Sequence, residues 1–428
     1  MKQRIAYHSL GCKLNFAEAS SLSDDFVSHN FMQVPFNQEA DVYVINTCSV
    51  TETANAKSRK AIKKAIRKNP KAIVIVTGCY AQLKPKEIAT IQGVDYIFGT
   101  GQKQHIEAII EDLSKQKSPH FINSDFQTIE GFYPAWSSDR TRSFLKVQDG
   151  CDNFCTYCTI PLARGHSRNI SIAKISKQAS EIAKAGFKEI ILTGVNIGDF
   201  GKSSGESFYE LIKALGEVDG IDRYRISSIE PDLLHHEIID FVLEHPKFMP
   251  HFHIPLQSGS DSMLKLMERK YDTTLFRERI NYIRNKNKDA FIGIDLIVGV
   301  PGETESLFQE SVEFVNSLDV SFVHVFTYSE REGTKALEIK PVIPHSERKK
   351  RSKVMHKISE LKHHQFYMSQ QKQNRPVLFE QSKHQELIFG FTDNYIKVGV
   401  PINKNLSNVI KLIKLDELNP KGYFEGKI

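Results

Sequence analysis

The sequence predicts an α/β protein with three parts: an N-terminal doubly wound parallel sheet, a central partial (β/α)6 barrel and a small C-terminal β-barrel. Three observations predict it. Over the first ~115 residues, three short runs rich in β-branched or aromatic residues each precede a helical pattern. Six further strand-like runs follow, again with helical patterns between them, and from about residue 374 short strand-like runs succeed one another without helices. The 428-residue length agrees, since domains of roughly 100 to 200 residues give two or three here. The parts are placed at 1–115, 137–370 and 371–428, with a polar, aperiodic linker at 116–136.

Hydrophobic residues make up 40% of the chain and charged residues 25%, the balance of a soluble globular protein. The opening MKQRIAYHSLGC lacks the apolar stretch of a signal peptide, and no run approaches the ~18 apolar residues of a membrane span. A cytoplasmic location away from membranes is expected. Thiols stay reduced there, so the six cysteines are read as ligands or catalysts rather than disulfides.

In the first part the strand runs are 4–10, 41–47 and 72–78, and a cysteine closes each: Cys12 after YHSLG, Cys48 after VYVINT, Cys79 after VIVTG. All three then lie at carboxyl ends of parallel strands, where such sheets bind ligands, and can converge on one crevice. Buried free thiols are the plain alternative, but three equivalent strand ends would be a coincidence. Residues 57–71, KSRKAIKKAIRKNPK, form a helical pattern with eight basic residues and no acidic one. Lys57, Arg59, Lys60, Lys63, Lys64 and Arg67 are either a solvated face or a phosphate-contacting one, because such a field attracts a polyanion without choosing its sequence. The basic stretch 345–364 has the same two readings. The net charge of +6 decides neither.

In the second part the runs begin at Phe144, Glu189, Arg223, His251, Phe291 and Phe322. Six units are too few for a closed eight-stranded barrel, so an open one is expected, with its site in the loops at the C-terminal face. Directly after the first run comes CDNFCTYC, placing Cys151, Cys155 and Cys158 in a C-x3-C-x2-C loop. Three thiolates this close can hold three irons of a cubane and leave the fourth open. Structural zinc wants four ligands, usually from two cysteine pairs, and no second pair exists here. His251 and His253 alternate on one strand face and are read as packed or hydrogen-bonded rather than as metal ligands.

With Tyr157 before the last cysteine, the loop resembles the radical-SAM superfamily, whose members bind S-adenosylmethionine on the open iron and cleave it to a 5′-deoxyadenosyl radical. SLGCKLN, NTCSVT, TGCYAQ, CDNFCTYCTIPLARG, HIPLQSGSD, LMERKY and VGVPGET extend the likeness, and over its whole length the chain resembles the methylthiotransferases of that superfamily. The resemblance implies two [4Fe-4S] clusters, one on Cys151, Cys155 and Cys158 and an auxiliary one on Cys12, Cys48 and Cys79. It implies S-adenosylmethionine contacts at Tyr157, Thr193, Gly194, Asn196, Arg164, Gln257 and Val300. Arg168 matches a second family arginine that assists S-adenosylmethionine or RNA phosphate. The tail GFTDNYIKV is similar to a TRAM domain, which implies RNA contacts at Asn394, Tyr395 and Lys397. The implied partners are the anticodon stem-loop of tRNA and an electron donor such as flavodoxin or ferredoxin, with no DNA. Cys-Lys-Leu-Asn at 12–15 resembles the bacterial subgroup acting on carbon two of N6-threonylcarbamoyladenosine. Isopentenyladenosine in tRNA and a ribosomal-protein aspartate are the alternative substrates, and a non-catalytic iron-sulfur RNA-binding protein is the alternative class.

Overall fold

A computed structural model describes residues 2–108, 110, 113–122, 125–129, 131–137, 141–381 and 386–427. Its first sheet comprises β1 (Arg4–Ser9), β2 (Met32–Gln33), β3 (Val42–Thr47), β4 (Ile73–Gly78), β5 (Tyr96–Phe98) and β6 (His120–Ile122). They run in the order β2-β1-β3-β4-β5-β6, every neighbouring pair parallel. Alternate residues serve opposite faces. Ile5, Val42, Val44 and Ile75 pack with Leu22 and Phe26 of the helix Lys13–Ser28, whereas Ala6, Tyr43, Ile45, Val74 and Val76 pack with Ala61, Ile62 and Ala65 of the helix Glu52–Lys68. Burial on both faces explains why these strands read as continuous apolar runs.

Sequence patterning missed β2, β5 and β6. Each has two or three residues, too few to show a period. β6 also corrects the linker: His120–Ile122 pairs with β5 and is partly exposed, so its polar composition hid a sheet edge.

The six expected runs of the second part form β7 (Arg142–Lys146), β8 (Glu189–Thr193), β9 (Arg223–Ile226), β10 (His251–Gln257), β11 (Phe291–Val298) and β12 (Phe322–Thr327). They make two parallel three-stranded sheets, β7-β8-β9 and β10-β11-β12, joined by parallel bridges at Tyr224–Phe248 and Ser228–His253. The result is an open barrel with one continuous core. Helices cover it; Ile175, Ala179 and Ile182, on one face of Ile172–Lys184, meet Leu145, Ile190 and Leu192.

The helix His345–Ser369 leads out of this barrel. Its basic residues are not all turned to solvent, as either sequence reading required. Arg348 pairs with Glu330, Arg351 with Glu303, and Lys362 donates to the carbonyl of Leu318, all three largely buried. Beyond it β13 (Asn374–Phe379), β14 (Leu387–Thr392), β15 (Lys397–Pro401), β16 (Ile410–Asn419) and β17 (Tyr423–Lys427) close into a barrel in the order β13-β14-β15-β17-β16. The parallel β15–β17 pairing completes the closure, as expected of a TRAM-like unit, although the sequence showed only four of the five strands. Among the described residues no helix is long and apolar enough to cross a membrane.

Candidate active site

Cys12, Cys48 and Cys79 follow β1, β3 and β4, three neighbouring strands in register at Ser9–Asn46 and Thr47–Gly78. Neighbouring strands lie about 4.8 Å apart, so the three loops emerge side by side. Two asparagines bolt them together. Asn15 donates to the carbonyls of Leu10 (2.7 Å) and Thr47 (3.0 Å), and Asn46 donates to the carbonyl of Asn15 (2.9 Å). Glycine is required at both approaches: a Cβ on Gly11 would lie 2.8 Å from Cys48 Sγ, and one on Gly78, at φ +97°, 2.4 Å from Asn46 Oδ1. Cys48 and Cys79 are buried and Cys12 is exposed. Burial pushes the Cys48 thiol up to about 12, helped by Cys79 and Cys12; burial also raises Cys79, opposed by Arg164 and Lys103.

Those two cations belong to a buried network between the first sheet and the barrel. Glu18 Oε1 accepts from Lys146 Nζ (2.9 Å) and Arg164 Nη1 (3.1 Å), and Oε2 pairs with Lys103. Asp149 binds Lys146 (2.6 Å), Arg164 (2.8 Å) and Arg168 (3.0 Å). Burial alone would raise both carboxyls; the cations around them hold each below its ordinary value. Four cations thus face two carboxylates. Thiolates at Cys12, Cys48 and Cys79 would balance the surplus, so the surroundings fit an anionic iron-sulfur cluster held by those sulfurs.

The Cys151 loop is folded tightly by the backbone. Asp149 and Arg168 exchange N–H···O bonds of 2.9 Å, Cys151 N–H donates to Gly165 (3.0 Å), and a Cβ on Gly150 would fall 1.9 Å from His166 O. Donors point at the sulfurs: Arg269 Nη1 to Cys155 Sγ at 3.0 Å, Asn153 N–H to Cys151 Sγ and Ile160 N–H to Cys158 Sγ at 3.4 Å. Burial, with repulsion from neighbouring cysteines, pushes the Cys151 and Cys158 thiols up to about 12, so a cationic centre is needed to hold them as thiolates. This donor set fits a cubane. Arg269 is itself placed by Glu230 and by Tyr271, whose hydroxyl lies 3.1 Å from its Nε.

A cleft of about 440 Å³ opens between the first sheet, the barrel mouth and the C-terminal barrel. Cys12, Lys13, Arg142, Thr193, Gly194 and Tyr395 line it. A second cavity, about 250 Å³, is bounded by Tyr157, Cys158, Ile160, Ile297 and Thr327. The structure therefore brings Thr193 and Gly194 to Cys12, and Tyr157 to Cys158.

The other expected contacts do not line these two cavities. Arg164 has its guanidinium buried and bonded to Glu18, Asp149 and Asn15 (2.7 Å). Arg168 likewise binds Asp149 and the carbonyls of Arg164 and Gly131. Asn196 Nδ2 is held by Asp199 at 2.8 Å, while the N–H groups of Val195 and Asn196 both go to Gln148 Oε1 at 2.9 Å. Val300 is fully buried among Met263, Met267 and Tyr328. Gln257 ends β10 at φ +67°, beside a slip in register after Pro255.

Of the basic residues on Glu52–Lys68, Lys57, Lys60, Lys63, Lys64 and Arg67 are exposed. Arg59 is not part of that face; it ties Glu52 (2.8 Å), Glu87 (2.7 Å) and Tyr80. Asn394 is also corrected: it is buried, donating to Asp289 O and Gln370 Oε1 at 2.9 Å and accepting from Thr392 Oγ1 at 2.7 Å. Lys397 packs over Phe389, 4.4 Å from its centroid, and Tyr395 faces the cleft. His251 stacks on Phe291 and His253 bonds Asp295 at 2.8 Å, as the packing reading expected, although His253, Asp295 and His324 lie close enough to surround an ion.

The sequence did not reveal Glu18, Lys103, Lys146, Lys13, Arg142 or Arg269. Weak traces existed: Glu18 interrupts the apolar face of Leu14, Ala17 and Leu22, and Lys146 interrupts FLKVQ.

The open barrel with a three-cysteine loop after its first strand defines a radical-SAM enzyme, and residues 145–315 match the family model described as Radical SAM superfamily. Residues 4–99 match Uncharacterized protein family UPF0004. The chain belongs to the radical-SAM methylthiotransferases. It is 35% identical to the threonylcarbamoyladenosine tRNA methylthiotransferase MtaB of Aquifex aeolicus, over 96% of this chain and 100% of that one. It is 36% identical to MtaB of Bacillus subtilis, over 96% and 93%, and 33% identical to the tRNA-2-methylthio-N(6)-dimethylallyladenosine synthase of Clostridium tetani, over 82% and 80%. Among solved structures, the radical S-adenosylmethionine methyltransferase TsrM of Kitasatospora setae shares the fold, with a TM-score of 0.58 at 11% identity over 76% of this chain and 73% of that one.

Proposed function

We propose that the protein is a tRNA methylthiotransferase that installs a methylthio group on carbon two of N6-threonylcarbamoyladenosine beside the anticodon, consuming two S-adenosylmethionine molecules per product. One observation carries the reading: Cys12 and the strand-end pair Thr193–Gly194 open onto the same cleft, so a sulfur-bearing site and an S-adenosylmethionine contact face one space. The MtaB names of the two relatives, which match nearly full length, support the choice of nucleoside.

In this reading Cys151, Cys155 and Cys158 hold one [4Fe-4S] cluster, and Cys12, Cys48 and Cys79 hold another. When bound, the first supplies the electron that cleaves S-adenosylmethionine, delivered by a flavodoxin or ferredoxin, and the second carries the sulfur. Arg269 donates to Cys155 and stabilises its thiolate. Gln148 holds the Val195 and Asn196 amides, fixing the turn that carries Gly194. Lys57, Lys60, Lys63, Lys64 and Arg67 present an exposed cationic stripe to the RNA backbone.

Nucleoside analysis of tRNA from a deletion strain tests the assignment. Methylthio-threonylcarbamoyladenosine should disappear while threonylcarbamoyladenosine remains. An unchanged methylthio nucleoside overturns it, and loss of methylthio-isopentenyladenosine instead would transfer the chain to the other substrate.

A further inference from the structure

Two cations, Lys13 and Arg142, line the cleft beside Tyr395. Glu189 serves three arginines, at 3.1 Å from Arg225, 3.9 Å from Arg223 and 4.0 Å from Arg142, and Glu380 binds Arg142 at 2.8 Å. Lys13 lines the same cleft, where Asp295 is the carboxylate that acts on it. Arg223 and Arg225 are also occupied by carbonyls of the C-terminal barrel, at Pro376 and Asp393, so Lys13 and Arg142 are the cations that line the cleft, and the buried Nη1 of Arg142 makes no hydrogen bond there. The Tyr395 ring lies 4.9 Å from the Arg225 guanidinium and 5.8 Å from that of Arg142. Burial would raise its phenol, yet Arg142, Lys13 and Arg225 more than offset this. Lys13 and Arg142 face the cleft rather than bulk solvent, so a bound anion is what it suits.

We infer that Lys13 and Arg142, beside Tyr395 in the cleft, bind the carboxylate of the threonylcarbamoyl arm and so select this nucleoside over one with an apolar arm. The inference rests on the substrate reading above. Adenine carbon two and the nitrogen on carbon six flank N1 on one edge of the base. A charged group on that nitrogen thus reaches Lys13 when carbon two faces the neighbouring Cys12. A backbone phosphate lies on the sugar side of the base and does not share that edge. An isopentenyl arm would leave the cations without a partner, which is a repulsive element against that substrate.

The test pairs wild-type holoenzyme and the variants Lys13→Met and Lys13→Arg with two anticodon stem-loops, one carrying threonylcarbamoyladenosine and one its methyl ester. Dissociation constants, which need no turnover, are measured beside kcat/KM. Wild type should prefer the free acid by roughly ten- to a hundredfold, the effect of one charge-assisted hydrogen bond. Lys13→Met should cut that preference at least several-fold, Arg142 keeping the remainder, by weakening the acid while leaving the ester nearly unchanged, and Lys13→Arg should restore it in part. An acid-to-ester ratio that stays at the wild-type value in Lys13→Met overturns the inference, whether both substrates are unaffected or both fall equally as a phosphate or purely structural role requires. Failure of wild type to modify either stem-loop would instead overturn the substrate reading.

Discussion

Replacing Glu18 by glutamine should destabilise the protein by about 4 kcal/mol. Glu18 is fully buried and its two oxygens receive Lys103, Lys146 and both terminal nitrogens of Arg164, the Arg164 distances being 3.1 and 3.2 Å. At ~3 Å and an effective dielectric constant of about 20, each contact is worth roughly 5 kcal/mol before desolvation is charged against it. Removing one partner of a buried ion pair typically costs about 3–5 kcal/mol, because the cations it leaves remain buried. Here Asp149 would be the one carboxylate of the network left to answer four cations. The loss is read from urea midpoints of the cluster-loaded protein kept anaerobic, with Glu268→Gln as control. Glu268 pairs with Lys335 in the open, at 46% and 61% side-chain exposure, and should cost less than ~1 kcal/mol. A second arm uses Lys103→Met and the double variant, whose combined cost should fall short of the sum by about 1–3 kcal/mol. A Glu18→Gln cost no larger than the control, or additive behaviour with Lys103→Met, would refute the reasoning.

The same carboxyl predicts an acid limb. Its folded pKa lies below the ordinary 4.5, so the stabilisation is complete above that value and is lost as pH falls beneath it; Glu18→Gln should flatten this limb in urea titrations. Arg269→Met removes a cation and an N–H donor from Cys155 Sγ, both of which favour the reduced cluster, so the midpoint potential should fall by roughly 60–120 mV in an EPR-monitored titration. An unchanged potential refutes the assignment. Alanine at Cys151, Cys155 or Cys158 should abolish 5′-deoxyadenosine formation, whereas alanine at Cys12, Cys48 or Cys79 should retain it, lose methylthio transfer and halve the bound iron. Gly78→Ala places a Cβ 2.4 Å from Asn46 Oδ1 and should mimic the Cys79 variant in iron content.

Much of this site was legible because cysteines are few and strand ends are recognisable. The runs before Cys12, Cys48 and Cys79 are buried on both faces, so their apolar content announced three adjacent strands, and adjacency alone brings the loops together. The local spacing of Cys151, Cys155 and Cys158 needed no fold at all. Arg164 shows where such reading ends. A sequence places it near the cluster loop, but its direction depends on Asn15 and Glu18, 149 and 146 positions away. Asn394 makes a related point: the likeness to a TRAM domain implied an RNA contact there, while the long-range fold supplies Asp289 and Gln370 as its buried partners. Lys13 sits beside Cys12, yet its place in the cleft depends on Arg142 and Tyr395 from the two other parts of the chain.

The junction also explains how two distant cysteine sets can be held at one working separation. Asn15 fixes the Cys12 loop through Leu10 and the Cys48 strand through Thr47, and its side-chain oxygen receives Arg164 Nη2 at 2.7 Å. Arg164 Nη1 donates to Asp149 Oδ1 at 2.8 Å, and the same oxygen receives the N–H of Gly150 at 2.9 Å, the residue before Cys151. Three buried side chains therefore span from one cysteine loop to the other. A path this short has little freedom to lengthen, since each member is charged or fully hydrogen-bonded and would be left unsatisfied by a shift. Group transfer between sites is sensitive to misplacement on the order of 1 Å, so rigidity at this junction bears directly on turnover. Arg164→Lys keeps the charge but loses the fork that reaches Asn15 and Asp149 together. It should preserve both clusters by iron content and S-adenosylmethionine cleavage, while uncoupling cleavage from methylthio transfer. Deoxyadenosine formed per modified nucleoside should rise at least several-fold, and an unchanged ratio would show that the junction serves stability alone.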